Sequence, residues 1–224
     1  MIDSDVIQTL SHRPDLPMLV ARLNQMLESE RKAREQFRRE LTPSVKAEFI
    51  AGEIIVHSPA KAKHLKATGR IFKLLDTFVA QNGLGQVFTE KALVTLTRND
   101  YEPDVVFFGC DKSDQFHEDQ MEFPAPDFVA EVLSSSTENR DRGIKFADYA
   151  LHSVREYWIV ECDEQTIEQY VLREGSTEFH LAQKLQGGAL QSTIITGLTI
   201  PVAAVFEDAA NLRAIQSILE SKCQ

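Results

Sequence analysis

The sequence is poor in the residues that cross-link small proteins or anchor them in membranes. Its 224 residues include only three cysteines, Cys110, Cys162 and Cys223. Their odd number and wide spacing exclude a disulfide framework and a CxxC metal clip, and the two internal cysteines are expected to be small core residues. No apolar run approaches the ~18 residues of a membrane span, and the N-terminus lacks the basic start of a signal peptide. We therefore expect a cytoplasmic protein without membrane contact.

Aromatic residues and metal-binding motifs are also scarce. The chain has one tryptophan, and aromatic residues make up 8% of it, so an aromatic platform for sugars is not evident. This disfavours a glycosidase, although glycosidases also use paired acids. No HExxH motif and no Cys/His cluster occurs, which disfavours a zinc enzyme.

Positive charge is in short supply, but it is unevenly spread. The formal net charge is -10, which speaks against a nucleic-acid binder because phosphate contacts need Lys and Arg. Residues 42–75, however, hold six basic and two acidic residues. The charge pattern therefore points to one segment of the chain as the place where nucleic acid would bind.

Hydrophobic periodicity divides the chain into three parts. Residues 1–41 form an N-terminal helical arm, with a helix over 15–41 that Thr42-Pro43 ends. Residues 42–207 form the main domain, in which a hairpin at 47–57, a helix at 60–80 and several strands predict an α/β fold with a mixed β-sheet flanked by helices. Residues 208–224 form a C-terminal helix. The arm lies either on its own domain or on a partner chain.

Two acidic residues interrupt apolar strands. Asp104 precedes the run Val105–Phe108, and Glu131 lies inside the run Phe128–Leu133. A carboxylate in a buried strand is costly unless it is paired or binds a metal. Two such carboxylates on neighbouring strands predict a site for a hard divalent cation, and the alternative is that each one pairs with an Arg or Lys.

A lysine follows these acids on the next predicted helix. Ser135 and Glu138 have the spacing of a capping box, which predicts the helix start. Asp141, Lys145 and Tyr149 then fall on one helical face. Because a helix that leaves a strand packs back beside it, Lys145 is expected to reach the carboxylates.

Four spaced motifs carry a resemblance to a known family. They are Glu102-Pro103-Asp104-Val105, Pro126–Ser134, Asp141–Tyr149 and Glu156–Val160, and Glu48–Ile54, Ser58-Pro59 and His64 precede them. Together they resemble the Uma-two family of restriction-endonuclease-like proteins, within the PD-(D/E)XK nuclease superfamily. The resemblance covers roughly residues 44 to 207.

The resemblance implies a restriction-endonuclease-like core and a set of site residues. Asp104 and Glu131 match the two motif acids, Lys145 matches a motif lysine displaced onto the helix, and Glu53 matches an N-terminal acid. The implied activity is DNA hydrolysis that depends on Mg²⁺ or Mn²⁺, held by Asp104, Glu131 and Glu53. Because cutting both strands calls for two active sites, we expect a homodimer. The alternative is a catalytically silent module with the same fold, which binds nucleic acid or a protein partner.

The predicted 60–80 helix carries a basic stripe. Lys63, Lys66, Arg70 and Lys73 recur along one side. Such a stripe is either a contact for the phosphate backbone of DNA or an ordinary solvated face. His64 matches a frequent family histidine and, like Tyr149, is a possible auxiliary residue.

Overall fold

The computed structural model describes residues 4–42 and 44–221, so the predicted helix break at Pro43 lies outside the described residues, as does Cys223. The helices are α1 Ser4–Ser11, α2 Leu16–Glu40, α3 Ala62–Asn82, α4 Cys110–Ser113, α5 Glu138–Asp141, α6 Ile144–Leu151, α7 Ala203–Phe206 and α8 Asp208–Glu220. The strands are β1 Ala47–Ile50, β2 Glu53–Val56, β3 Gly85–Thr89, β4 Leu93–Thr95, β5 Asp100–Tyr101, β6 Val105–Gly109, β7 Glu122–Phe123, β8 Phe128–Val132, β9 Glu156–Glu161, β10 Thr166–Leu172, β11 Phe179–Leu185, β12 Ala189–Gln191 and β13 Thr199–Pro201. In the part of the chain that the structure describes, no helix has the length and hydrophobicity needed to cross a membrane.

The chain divides into two compact units. The first contains the described residues up to His57 together with Thr97–Tyr101. In it, β1 and β2 form the predicted hairpin, and β5 pairs with β1. The hairpin turn places Ala51 and Gly52 at φ values of 50° and 91°, a left-handed conformation that glycine adopts without strain. The Ala51 amide donates a hydrogen bond to Asn99 Oδ1, which stabilises this turn.

The second half of α2 is held by charge as well as by apolar packing. Asp100 is fully buried, and both Arg34 and Arg38 donate paired hydrogen bonds to its carboxylate. Phe37 packs on Phe49 of β1, with ring centroids 5.9 Å apart. The predicted arm helix therefore belongs to the same compact unit as the hairpin.

The second unit contains Ser58–Leu96 and the described residues from Glu102 onward. Its centre is a six-stranded sheet in the order β11-β10-β9-β8-β6-β3. The β8 and β9 strands are parallel, and the other neighbours are antiparallel. This is the mixed sheet flanked by helices that the sequence predicts.

The two faces of the sheet have different coverings. Phe128, Ala130 and Val132 of β8 enter the apolar core with Ile71 and Leu74 of α3. Because side chains alternate along a strand, Glu131 points to the other face. On that face Glu131 contacts Lys145 of α6. The alternation along β8 therefore places apolar side chains in the core and a carboxylate against α6.

Several local predictions are wrong. The capping box does not form, because α5 begins at Glu138 with Thr137 at its N-cap and no side-chain cap. The predicted helix from Asp141 is interrupted at Arg142-Gly143. Cys110 is exposed and is not a core residue, whereas Cys162 is half-buried and packs against the apolar core.

A buried carboxylate without a cationic partner fastens β9 to a distant turn. Glu156 is fully buried and accepts six hydrogen bonds. Trp158 Nε1 and Gln169 Nε2 donate to Oε1, whereas Ser192 Oγ, the Thr193 amide and hydroxyl, and the Ile194 amide donate to Oε2. Neutral donors of the protein thus satisfy this carboxylate.

We expect Glu156→Ala to lower the free energy of unfolding by about 3 kcal/mol or more, because it leaves several buried donors unsatisfied. Urea unfolding measures the change, with Glu164→Ala as the control because Glu164 is exposed. Equal stability of the two variants would contradict the structural role of Glu156.

Candidate active site

Two carboxylates meet where adjacent strands begin and end. In the antiparallel ladder of β6 and β8, Val105 lies opposite Ala130. Asp104, one residue before β6, is therefore brought beside Glu131, near the end of β8. Both side chains are almost fully buried.

Hydrogen bonds to the backbone fix the position of each carboxylate. Asp104 Oδ2 accepts a hydrogen bond from the Val132 amide at 2.9 Å. In return, the Asp104 amide donates to Glu131 Oε2 at 3.4 Å. His64 of α3 places Nε2 3.3 Å from Asp104 Oδ1. Asp104 is thus positioned both by His64 of α3 and by the Val132 amide of β8.

Lys145 lies between Glu131 and a third carboxylate, Asp141. Its Nζ is 3.0 Å from Glu131 Oε1 and 3.3 Å from Asp141 Oδ1, and the lysine side chain is only 2% exposed. The Tyr149 hydroxyl donates to Glu131 Oε1 at 3.3 Å. The structure therefore brings Asp104, Glu131, Lys145, His64 and Tyr149 together at one end of the sheet.

The break between α5 and α6 positions Lys145. At Gly143, a Cβ atom would lie 2.6 Å from the Asn139 carbonyl oxygen, so only glycine fits without a backbone shift. Arg142 donates two hydrogen bonds to Glu168 of β10. The buried Tyr157 hydroxyl donates to the Asp141 carbonyl at 3.0 Å, and burial raises the pKa of Tyr157 well above its usual range. The contact of Asp141 with β9 and that of Arg142 with β10 thus fix the start of α6.

The remaining predicted residues belong to β2 and α3. Glu53 is exposed on β2 in the first unit, where the buried acid of the hairpin is Glu48, with Oε2 3.1 Å from His57 Nε2. On α3, the predicted basic residues have different environments. Lys63, Lys66 and Lys73 are exposed, whereas Arg70 is buried and donates two hydrogen bonds to Asp208.

Two buried acids close in sequence to the site residues have partners that the sequence motifs do not assign. Asp141 was expected only to share a helical face with Lys145, and their spacing of four residues is the signal for the contact observed. Glu102, two residues before Asp104, is buried with Oε1 3.6 Å from Lys91 Nζ. No comparable sequence signal marks this pair, because Lys91 lies in the turn after β3.

A cysteine nucleophile is not supported. Cys162 follows β9, and burial raises the pKa of its thiol to about 11, which keeps it protonated near neutral pH. Its Sγ lies 3.7 Å from the Lys63 carbonyl oxygen. Cys162 is therefore a poor candidate for a nucleophile.

A helix-flanked mixed sheet with two acids and a lysine at one end defines a restriction-endonuclease-like protein. The family model Uma2, described as "Putative restriction endonuclease", matches residues 34–203. The chain belongs to the Uma2 family. The fold predicted from the sequence motifs is thereby confirmed.

Two individual proteins are similar to this chain. One is the "Uncharacterized protein sll1609" of Synechocystis, which is 28% identical over 142 residues, or 62% of this chain and 78% of that protein. The other is a crystal structure titled as a putative nuclease belonging to DUF820 from Anabaena variabilis. It has a TM-score of 0.66 and 17% identity, and the match covers 79% of this chain and 97% of that one. At this identity the second comparison supports the fold.

The donors at the site fit a divalent metal ion. Restriction-endonuclease-like proteins generally use such ions. Among the described residues, no three His, Cys, Asp or Glu side chains are grouped so that they could hold one. Mg²⁺, however, needs only one or two carboxylates, because waters and substrate phosphates complete its shell. Asp104 and Glu131 supply that number of hard oxygen donors.

Glu168 should make stability depend on pH in the acid range. Burial alone would raise its pKa, but hydrogen bonds from Arg142, Lys184 and Tyr170 lower it from 4.5 to about 2. Because the folded-state pKa is depressed, this stabilisation is complete above about pH 4.5 and is lost as the pH falls towards 2. The stability difference between wild type and Glu168→Gln should therefore shrink over this range.

Unfolding by urea at a series of pH values measures this difference. Glu174→Gln, at an exposed position, is the matched control. A constant difference between wild type and Glu168→Gln from pH 5 to pH 2 would contradict the assignment.

The ion pair of Lys145 and Glu131 should be strongly coupled. Lys145→Met leaves two buried carboxylates without their cation and should cost about 3–5 kcal/mol of unfolding free energy. Adding Glu131→Gln removes one of those charges, so the double variant should lose less than the sum of the single losses. Urea unfolding of the four proteins measures the coupling, and simple additivity would exclude it.

Proposed function

We propose that the protein is an endonuclease that depends on a divalent metal ion and hydrolyses phosphodiester bonds in DNA. The observation that carries the proposal is the buried Lys145–Glu131 pair beside Asp104. Burying charges is costly, and apolar residues of similar volume would stabilise the fold as well or better. A lysine between carboxylates at a strand end is more readily explained by chemistry than by stability.

Asp104 and Glu131 are assigned as ligands by their positions, and they would hold Mg²⁺ or Mn²⁺. Glu53 is proposed as an additional ligand through water because the resemblance to the family assigns it to the site. A bound ion lowers the pKa of its water and neutralises charge on the phosphate. Lys145 would orient the attacking water, whose oxygen bonds to phosphorus as the ester P–O bond breaks. The proton that this water loses ends, overall, on the departing ester oxygen. His64 and Tyr149 restrain the two carboxylates by the contacts given above.

The proposed DNA contacts lie on α3. Lys63, Lys66 and Lys73 are exposed there, and the helix begins next to His64. Arg70 remains in the proposed set, although Asp208 engages its guanidinium. Since the net charge is -10, binding should be weak and sensitive to salt. We propose that the protein is cytoplasmic. We also propose that it is a homodimer, because cutting both strands of a duplex calls for two active sites.

The division of the chain into parts follows the same proposal. Residues 42–207 are proposed as the nuclease domain, 1–41 as a helical arm and 208–224 as a C-terminal helix. The family match over 34–203 covers most of the proposed nuclease domain and also the last residues of the proposed arm.

A catalytically silent module is the second candidate. It is favoured by the fact that Lys145 and His64 already contact both carboxylates and neutralise Glu131 without a metal ion. Such a module would bind nucleic acid or a protein partner through the same unit. The two candidates differ in metal uptake and in cleavage.

Plasmid cleavage with Mg²⁺ or Mn²⁺ tests the first candidate. Asp104→Asn and Lys145→Met should each lower the rate by about 100-fold or more, because each removes a group that acts on the reacting atoms. Asp111→Asn is the matched control, since Asp111 is exposed on α4. Calorimetry should show Mn²⁺ uptake by wild type and by Asp111→Asn but not by Asp104→Asn. Equal cleavage by all four proteins, or no uptake by wild type, would overturn the proposal.

A further inference from the structure

The first half of α2 carries an apolar row that the chain leaves half-exposed. Leu16, Val20, Leu23 and Leu27 follow one another at alternating spacings of four and three residues. Val20, Leu23 and Leu27 are between 43% and 47% exposed. We call Leu16, Val20, Leu23 and Leu27 the α2 stripe.

The stripe continues a face that is already used for packing. The same spacing leads on to Glu30, Arg34 and Phe37 in the second half of the helix. There the face is covered, because Phe37 packs on the hairpin, Arg34 binds Asp100 and Glu30 binds Arg98. The interaction surface of α2 is therefore continuous, and only its first half is available to another molecule.

The pattern of the stripe specifies what fits it. Alternation by four and three residues is the heptad repeat of helices that pack side by side, with each apolar side chain entering a space on the facing helix. Val20 and Leu27 share one core position of this repeat, and Leu16 and Leu23 share the other. The first position holds one β-branched residue, Val20, and one leucine, Leu27, whereas the second position holds leucine only. The complementary surface is thus a helix of the same repeat.

Charge narrows the choice of partner further. From Leu16 to Leu27 the helix has one charged residue, Arg22, whereas nine of the next thirteen residues are charged. A helix with few charges and an apolar face is complementary to such a surface. The first half of α2 in a second chain has both properties. A membrane surface fits less well, because helices that lie on membranes carry several Lys or Arg beside the apolar face. The family match also begins at residue 34, after the stripe, so the stripe is not part of the matched nuclease domain.

We propose that the α2 stripe is a homodimer interface, in which α2 of one chain packs against α2 of a second copy around a two-fold axis. A two-fold interface uses the same patch on both chains, which suits a patch whose members are all apolar. The inference rests on the homodimer in the proposed function and names the surface that forms it.

The test is sedimentation velocity of the full chain from about 1 to about 100 µM. Wild type should sediment as a dimer, and Leu23→Asp should raise the dissociation constant at least about tenfold, because it places two carboxylates at the interface. Gln25→Asp is the matched control: the same charge is added to an exposed position on the other side of α2 and should leave the dimer intact.

Further measurements separate this inference from the nuclease proposal and from misfolding. Circular dichroism should show that Leu23→Asp keeps its helices, and Leu27→Asp should weaken the dimer equally. Asp104→Asn should stay dimeric even though it should not cleave DNA, so the two proposals fail independently. A monomeric wild type, a dimer insensitive to Leu23→Asp, or a monomer that co-sediments with phosphatidylcholine–phosphatidylglycerol vesicles would overturn the inference.

Discussion

The ion pair between Glu131 and Lys145 is the constraint on which the second unit depends. The strand that carries Glu131 lies at the middle of the sheet, and its other side chains build the apolar core. A charge at that position must have a partner in the neighbouring layer. The break at Gly143, the Arg142–Glu168 contact and the Tyr157 hydrogen bond all place the start of α6 so that it supplies this partner. Much of the architecture around α6 can thus be understood as the environment of one carboxylate.

The two ends of the central strands are stabilised in different ways. At the entrance of β9, Glu156 is satisfied by neutral donors, and the surrounding chain is closed over it. At the far end of β8, Glu131 depends on a lysine and a tyrosine hydroxyl. The hydrogen bonds to Glu156 leave no lone pair for a ligand. At Glu131, a ligand can replace a contact with the protein. This difference separates the structural acid from the candidate catalytic acid.

Strong local patterns made much of this fold predictable. The hairpin at Ala51-Gly52, the long α2 and α3 helices and the strand Glu156–Glu161 follow from turn chemistry and apolar periodicity. The contact of Lys145 with Glu131 follows from a helix that returns along its strand. The break at Gly143 and the burial of Arg70 were not predictable, because both depend on long-range partners: the first on β9 and β10, the second on Asp208. Periodicity alone does not distinguish an exposed arginine from a buried one that pairs with an acid far away in the sequence.

The register of β6 and β8 has a consequence for how the chain tolerates insertions. Asp104 and Glu131 are aligned by the ladder itself, and the segment between β6 and β8 runs through α4 and β7 without setting that alignment. Residues can be gained or lost in the exposed stretch around Glu118 while the two acids keep their places. One residue gained inside β8 would turn Glu131 into the apolar core and bring a hydrophobic side chain to Lys145. Length variation among relatives should therefore concentrate in the connection and spare the strand.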